Sequence, residues 1–293
     1  MDALFDQIPI LARPRSVTEL PGGLTNRNFK IINNNGAFVA RVASEGGELL
    51  AIDRGNEYRN SVRAAQAGVG APVVDYRAGV LVLGYINGTT LTNAGVADRI
   101  PRVASAVRRL HAAERFDRDF DMFEIQRGYR TVAAQRGIRI PDGYDELSPA
   151  FDAMRKALAA GFDGTVPCNN DLLAANFIDD GANIWLIDYE YSGNNDACFE
   201  LGNIWAECQL SDEALEHLVS AYYGGPKPAK VARAMLLGLA GKYGWTLWGA
   251  IQAAVSPIDF DFWSWAMEHY EGAVAGFTGR RFARLLDDAA RGE

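Results

Sequence analysis

The 293-residue chain reads as an α+β protein of two lobes, a small N-terminal antiparallel sheet with one helix and a larger, mostly helical C-terminal lobe. Three observations carry this. Short β-prone runs separated by tight-turn residues stop near residue 88. Helix-length apolar spacing dominates from there to the end. One non-helical island, Val166 to Asp196, interrupts the helices.

The elements follow in order. Asn28–Ile32 and Ala37–Ala43 are joined by Asn33-Asn34-Asn35-Gly36, whose Asn-Gly step supplies the positive φ of a tight hairpin. A helix is expected from Ala51 to Ala67, stopped by Gly68. Pro72–Arg77 and Val80–Tyr85, separated by Ala78-Gly79, form a second hairpin. The turn-forming stretch Gly84 to Thr90 places the lobe boundary, giving lobes of residues 1–88 and 89–293. Helices are expected over Arg99–Ala113, Tyr144–Ala160, Asp212–Tyr223, Lys227–Ala254, Phe260–Ala275 and Arg280–Ala290.

Composition excludes several classes. With 29 basic and 37 acidic residues the net charge is −8, which argues against a nucleic-acid partner, since phosphate binding needs a clustered basic face. Three cysteines, Cys168, Cys198 and Cys208, make no disulfide framework and point to a reducing compartment. The N-terminus carries Asp2 and Asp6 before any basic residue, unlike a secretory signal. The apolar stretch Ala234–Val255 is broken by Lys242 and four glycines, so it reads as a buried helix with no stable membrane insertion. A cytoplasmic protein is expected; a homo-oligomer is compatible with the sequence, which does not fix the oligomeric state.

The island holds the chemistry. Asp171, then Asn176 five residues later, then Asp188 after an apolar strand, resembles the catalytic and metal-binding loops of protein-kinase-like phosphotransferases. Asp171 can accept a hydroxyl proton, and Asn176 and Asp188 offer hard oxygen ligands to Mg²⁺ on ATP phosphates. Pro21-Gly22-Gly23-Leu24-Thr25-Asn26 precedes a hairpin, where a glycine pair lets backbone amides approach a phosphate. Arg41 stands on the next strand where such enzymes carry a phosphate-clamping Lys, and Glu57 on the following helix is its natural ion-pair partner.

Together with Asn-Asp-Leu-Leu-Ala-Ala-Asn, Ile-Asp-Tyr-Glu-Tyr-Ser-Gly-Asn-Asn-Asp and Phe-Glu-Leu-Gly-Asn, these motifs resemble the choline/ethanolamine kinases, especially their bacterial branch, within the aminoglycoside-phosphotransferase-like fold. The resemblance covers about Leu20 to Glu271 and implies a protein-kinase-like fold, with ATP and Mg²⁺ as cofactors and a small amino alcohol as substrate. It implies Asp171 as catalytic base, Asn176 and Asp188 as metal ligands, and Arg41 on the nucleotide phosphates with Glu57 positioning it. Gly22, Gly23, Thr25 and Asn26 would form the phosphate loop, and the backbone around Tyr85 and Ile86 would face adenine. The family usually has His two residues before the base; this chain has Asn169.

Choline, a quaternary ammonium, is recognised by aromatic faces and a nearby carboxylate. The resemblance places Trp245, Trp248 and Trp265 around it, with Glu207 facing it; Tyr189 and Glu190 could line the same pocket, Glu190 equally well as a buried structural acid. Of the histidines, His111 is expected to pack on its helix, and His217 and His269 to lie on helix surfaces. The expected activity is phosphorylation of choline. The alternatives are a kinase of ethanolamine, an aminoglycoside or a sugar, and a non-catalytic module binding a nucleotide or quaternary amine.

Overall fold

The computed structural model describes residues 1–43 and 47–291. At the N-terminus a short helix α1 (Asp2–Phe5) leads into β1 (Arg15–Leu20), β2 (Asn26–Asn33) and β3 (Gly36–Ala43). After α2 (Arg54–Gln66), β4 (Val73–Arg77) and β5 (Val80–Gly84) complete an antiparallel five-stranded sheet ordered β1-β2-β3-β5-β4. Both expected hairpins form; Asn33 pairs with Gly36 across the first turn and Arg77 with Val80 across the second. Phe29, Ile31, Phe38, Ala40, Val80 and Val82 bury one face of the sheet against Phe5, Ile8 and Leu11.

Two local readings need correction. The helix begins at Arg54 instead of Ala51, because Ala51 has φ 60° and the Asp53 carboxylate caps the N–H of Asn56. Strand β1 has no apolar alternation to announce it, since its residues are half-buried or exposed along the sheet edge.

Past the sheet come β6 (Thr89–Thr90), α3 (Asn93–Ala97), α4 (Ile100–His111), α5 (Met122–Arg136) and α6 (Ser148–Ala160). The expected helix from Tyr144 is split: Tyr144–Leu147 is a 3₁₀ turn, and Pro149 sits in the first turn of α6, where its missing N–H costs nothing. The island forms as expected without α-helix, as β7 (Val166–Cys168), a 3₁₀ turn Ala174–Asn176, β8 (Phe177–Asp179), β9 (Ile184–Leu186) and β10 (Gly193–Asn195). The remainder is α7 (Ala197–Glu207), α8 (Asp212–Tyr223), α9 (Pro228–Val255), α10 (Phe262–Thr278) and α11 (Phe282–Ala290). Helices α5 and α7 were not among the expected ones. No described helix is long and apolar enough to cross a membrane.

Helix α9 is the axis of this part, apolar nearly all round and packed against α5, α7, α10 and α11. It meets α7 at a glycine crossing. A Cβ on Gly202 would lie 2.0 Å from the Ala234 carbonyl oxygen, and one on Gly238 would lie 2.6 Å from that of Gly202. The backbones touch, so neither position accepts a methyl group.

Candidate active site

A cavity of about 550 Å³ runs between the sheet and the helical part. Its wall includes every site residue expected from the sequence except Glu57, which lies behind Arg41, and Tyr189, which is buried away from the cavity while Tyr191 lines it instead.

On the sheet side, Gly23 is required by sterics, since a Cβ there would lie 2.1 Å from the Asn26 carbonyl oxygen. Gly22 sits at φ +96°, a conformation glycine adopts at little cost. The loop is tied across the cavity: Thr25 Oγ1 donates to Glu190 at 2.7 Å and Asn26 Nδ2 donates to it at 2.8 Å. The side chains of Thr25 and Asn26 thus hold the loop. Tyr85 and Ile86 line the adjoining end, where the Tyr85 N–H donates to the Ala37 carbonyl and Lys30 Nζ stands 3.7 Å over the Tyr85 ring.

Arg41 is buried. Its Nε donates to Glu57 at 3.0 Å, and its two terminal nitrogens grip Asp188 at 3.1 and 2.5 Å. Arg54 bridges Glu57 and Glu190 at 2.7 and 3.0 Å. Burial works against the Arg41 charge, but Asp188, Glu57 and Glu190 outweigh it and keep the guanidinium ionised. Burial is also the main cause raising the Glu190 carboxyl, followed by the Asp188 and Glu57 charges. Its oxygens are occupied by Thr25, Asn26 and Arg54, the structural alternative weighed for this residue. Helix α2 docks on the same region, with the Asn56 and Asn60 amides donating to the Ser192 carbonyl.

Asp171 sits on a loop held from below. Both Glu200 oxygens accept backbone N–H groups, from Asn169 at 2.9 Å and Asn170 at 2.7 Å, and Asn203 accepts that of Leu172. Asn170 is at φ 68°, a conformation uncommon outside glycine. It is fixed there by its amide, which donates to the Tyr191 and Gly193 carbonyls. Asn169, where the related enzymes have His, bonds to both neighbours. Its Nδ2 donates to the Ile187 and Asp188 carbonyls at 3.1 and 2.9 Å, and its Oδ1 accepts the Asp171 N–H at 3.0 Å. One amide therefore straps the Asp171 loop to the Asp188 loop. His111 packs as expected, buried against Tyr222.

Burial raises Asp171 well above the ordinary carboxylate range, and the charges of Asp188, Glu190 and Glu207 raise it further. A cavity lined by four acids is built for cations. Asn176 Nδ2 donates to the Asp171 carbonyl at 2.7 Å, which leaves the side-chain oxygen of the same amide as a ligand atom on the cavity wall with the Asp188 carboxylate. Amide and carboxylate oxygens are the donor set a hard divalent ion takes, so these residues fit Mg²⁺.

At the far end the aromatic residues form an interlocked wall. Trp248 Nε1 donates to the Tyr191 hydroxyl at 2.7 Å, Tyr191 meets Trp245 edge to face at 4.9 Å, and Trp248 meets Trp265 at 5.1 Å. Trp245 and Trp248 are buried yet line the cavity, so they serve both core and wall. Glu207, at the end of α7, completes this end. His269 corrects its surface assignment: it stacks on Trp265 and reaches Glu207. His217 is exposed as expected. Sequence reasoning missed Glu200, Asn203, Tyr191 and His269; the Phe-Glu-Leu-Gly-Asn motif, with Glu200 and Asn203 inside it, was the available signal for two of them.

A five-stranded sheet facing a helical lobe, with the Asp171, Asn176 and Asp188 loops at the seam, defines the protein-kinase-like phosphotransferase class. A model of the choline/ethanolamine kinase family matches residues 17–220. The chain belongs to that family. Protein LicA of Haemophilus influenzae is 30% identical over 212 residues, which cover 69% of this chain and 61% of LicA, so the match spans under two thirds of that relative. A choline/ethanolamine kinase family protein from Mesorhizobium loti has a similar structure, with TM-score 0.86 and 31% identity over 99% of this chain and 98% of that one. The choline kinase LicA of Streptococcus pneumoniae shares the fold, with TM-score 0.80 and 24% identity over 94% and 98% of the two chains.

Proposed function

We propose that this chain is an ATP- and Mg²⁺-dependent kinase that phosphorylates the hydroxyl of a small amino alcohol, choline in preference to ethanolamine. One observation carries the reading: a single cavity joins a carboxylate base, an arginine clamp and an aromatic wall closed by an acid. The glycine loop and Arg41 would hold the nucleotide phosphates, and the backbone at Tyr85–Ile86 would face adenine. Mg²⁺, held by Asn176 and Asp188, supplies neutralisation of the phosphate oxygens. Asp171 accepts the acceptor's hydroxyl proton as its oxygen attacks the terminal phosphorus. Its raised carboxyl becomes a competent base as cations enter the four-acid cavity, because each lowers the cost of its charge.

The preference for choline rests on the wall. Trp245, Trp248, Trp265 and Tyr191 offer π-faces, which suit a trimethylammonium that donates no hydrogen bonds. A primary ammonium prefers acceptor oxygens, of which this end offers Glu207. Free buried thiols at Cys168, Cys198 and Cys208 fit a reducing compartment, and we place the reaction in the cytoplasm. The test is Mg²⁺-dependent ATP turnover over a panel containing choline, ethanolamine, an aminoglycoside and a hexose. The reading expects the highest kcat/KM for choline, and turnover with none of the four, in folded protein, would overturn it.

A further inference from the structure

The acceptor end of the cavity holds a histidine against its carboxylate. The His269 ring lies 3.7 Å from that of Trp265, 29° from parallel. Its Nδ1 is 3.0 Å from the Trp265 carbonyl oxygen, and its Nε2 is 3.3 Å from each Glu207 oxygen. With Glu207 ionised, both ring nitrogens face acceptor oxygens, an arrangement that a doubly protonated ring satisfies with two donors. The His269 and Glu207 side chains are 13% and 11% exposed, so water screens the pair weakly.

The surroundings favour a cation at this point. Glu207 faces the ring from α7, and Asp171 lies near enough to Glu207 for its carboxyl to feel that charge. On α10 itself Glu268 and Glu271 flank the ring from exposed positions. From α9, Lys242 lies against Gly272, three residues along.

We propose that His269 determines acceptor specificity as the resident counter-cation of Glu207, which the acceptor's ammonium replaces, so that a cationic acceptor releases the His269 proton and a neutral one does not. The inference rests on the amino-alcohol reading above. Two cations sharing one carboxylate in a poorly screened site repel each other. The ring can relieve this by losing a proton to solvent, and the acceptor cannot. Nε2 gives the proton to the buffer, no covalent bond forms to the acceptor, and charge is conserved. An uncharged alcohol leaves the pair intact.

Calorimetry of the full chain with choline, and separately with its uncharged isostere 3,3-dimethylbutan-1-ol, in two buffers of different ionisation enthalpy counts the protons. At about pH 6.5 wild type should release protons on binding choline and none on binding the isostere. Its choline Kd should fall several-fold between about pH 5.5 and 7.5, within the tenfold per pH unit that one linked proton allows. His269→Gln keeps an N–H donor for Glu207, and His269→Phe keeps the stack on Trp265. Both should bind choline with less proton release than wild type, the remainder coming from Asp171, with a flatter pH profile and a lower Kd than wild type at the acid end. No release from wild type, undiminished release in His269→Gln, or weaker acid-side binding by both variants overturns the proposal. Choline binding no better than the isostere across the range overturns the amino-alcohol reading itself, and this inference with it.

Discussion

The two ends of the cavity are built from opposite materials. The proposed nucleotide end is a chain of buried and half-buried charges, Asp188–Arg41–Glu57–Arg54–Glu190, in which each of the three middle groups answers to two neighbours. The acceptor end is a set of aromatic rings packed edge to face, with one acid and one histidine at its rim. Removing one link of the charged chain strands its partners away from water, a cost well above the value of the bond itself. Removing one ring takes away one face among several. The first end should therefore fail abruptly and the second by degrees.

Four substitutions sharpen that contrast. The largest effect belongs to the seam, where Asp171→Asn should lower kcat by roughly 10²–10⁴-fold while the fold and nucleotide affinity persist. Near wild-type turnover in folded protein would remove Asp171 from the mechanism. In wild type, kcat/KM should rise with pH on an acid limb above the ordinary carboxylate range, because the base works only when ionised and the site raises its titration. Glu57→Ala should cost about 3 kcal/mol of stability, the low end for a broken buried pair because Arg41 keeps Asp188. A urea midpoint unchanged at constant m would show that the chain of charges carries no such coupling.

Trp248→Ala tests the graded end. Choline KM should rise by a factor of roughly 2–30, the span of one cation–π contact of about 0.5 to 2 kcal/mol, with a smaller rise for the uncharged isostere. Equal rises for both ligands would return Trp248 to a purely packing role. Smallest of all, Asn169→His should change kcat by less than about tenfold, or about 1.4 kcal/mol of barrier. The work at that position is a hydrogen bond between loops, which an imidazole can also make. A gain above tenfold would mean the amide strap is a weakened substitute.

The contrast between the ends also governs what could be read in advance. The Asp171, Asn176 and Asp188 spacing is legible because one short segment carries all three, and the Asn-Gly hairpin because turn chemistry is local. The fate of Glu190 is not legible, since its partners Thr25 and Asn26 lie 165 and 164 residues away. His269 looks like a surface residue by helical position alone; its carboxylate arrives from 62 residues earlier, on a helix the apolar pattern did not announce. Strand β1 escaped because an exposed edge need not alternate. Local chemistry survives reading one residue at a time, while pairings set by the lobes closing on each other do not.

The contact between Gly202 and Gly238 gives the molecule its datum. Helix α7 carries Glu200 and Asn203, which set the height of the base, and Glu207, which marks the acceptor's charged end; α9 carries Trp245 and Trp248. With the two backbones in direct touch, the distance from base to wall cannot be adjusted by sliding one helix over the other. A change of acceptor must then be made by exchanging side chains within a fixed gauge. On the proposed function this frame sets how far a hydroxyl stands from its ammonium, and it favours alcohols of one length.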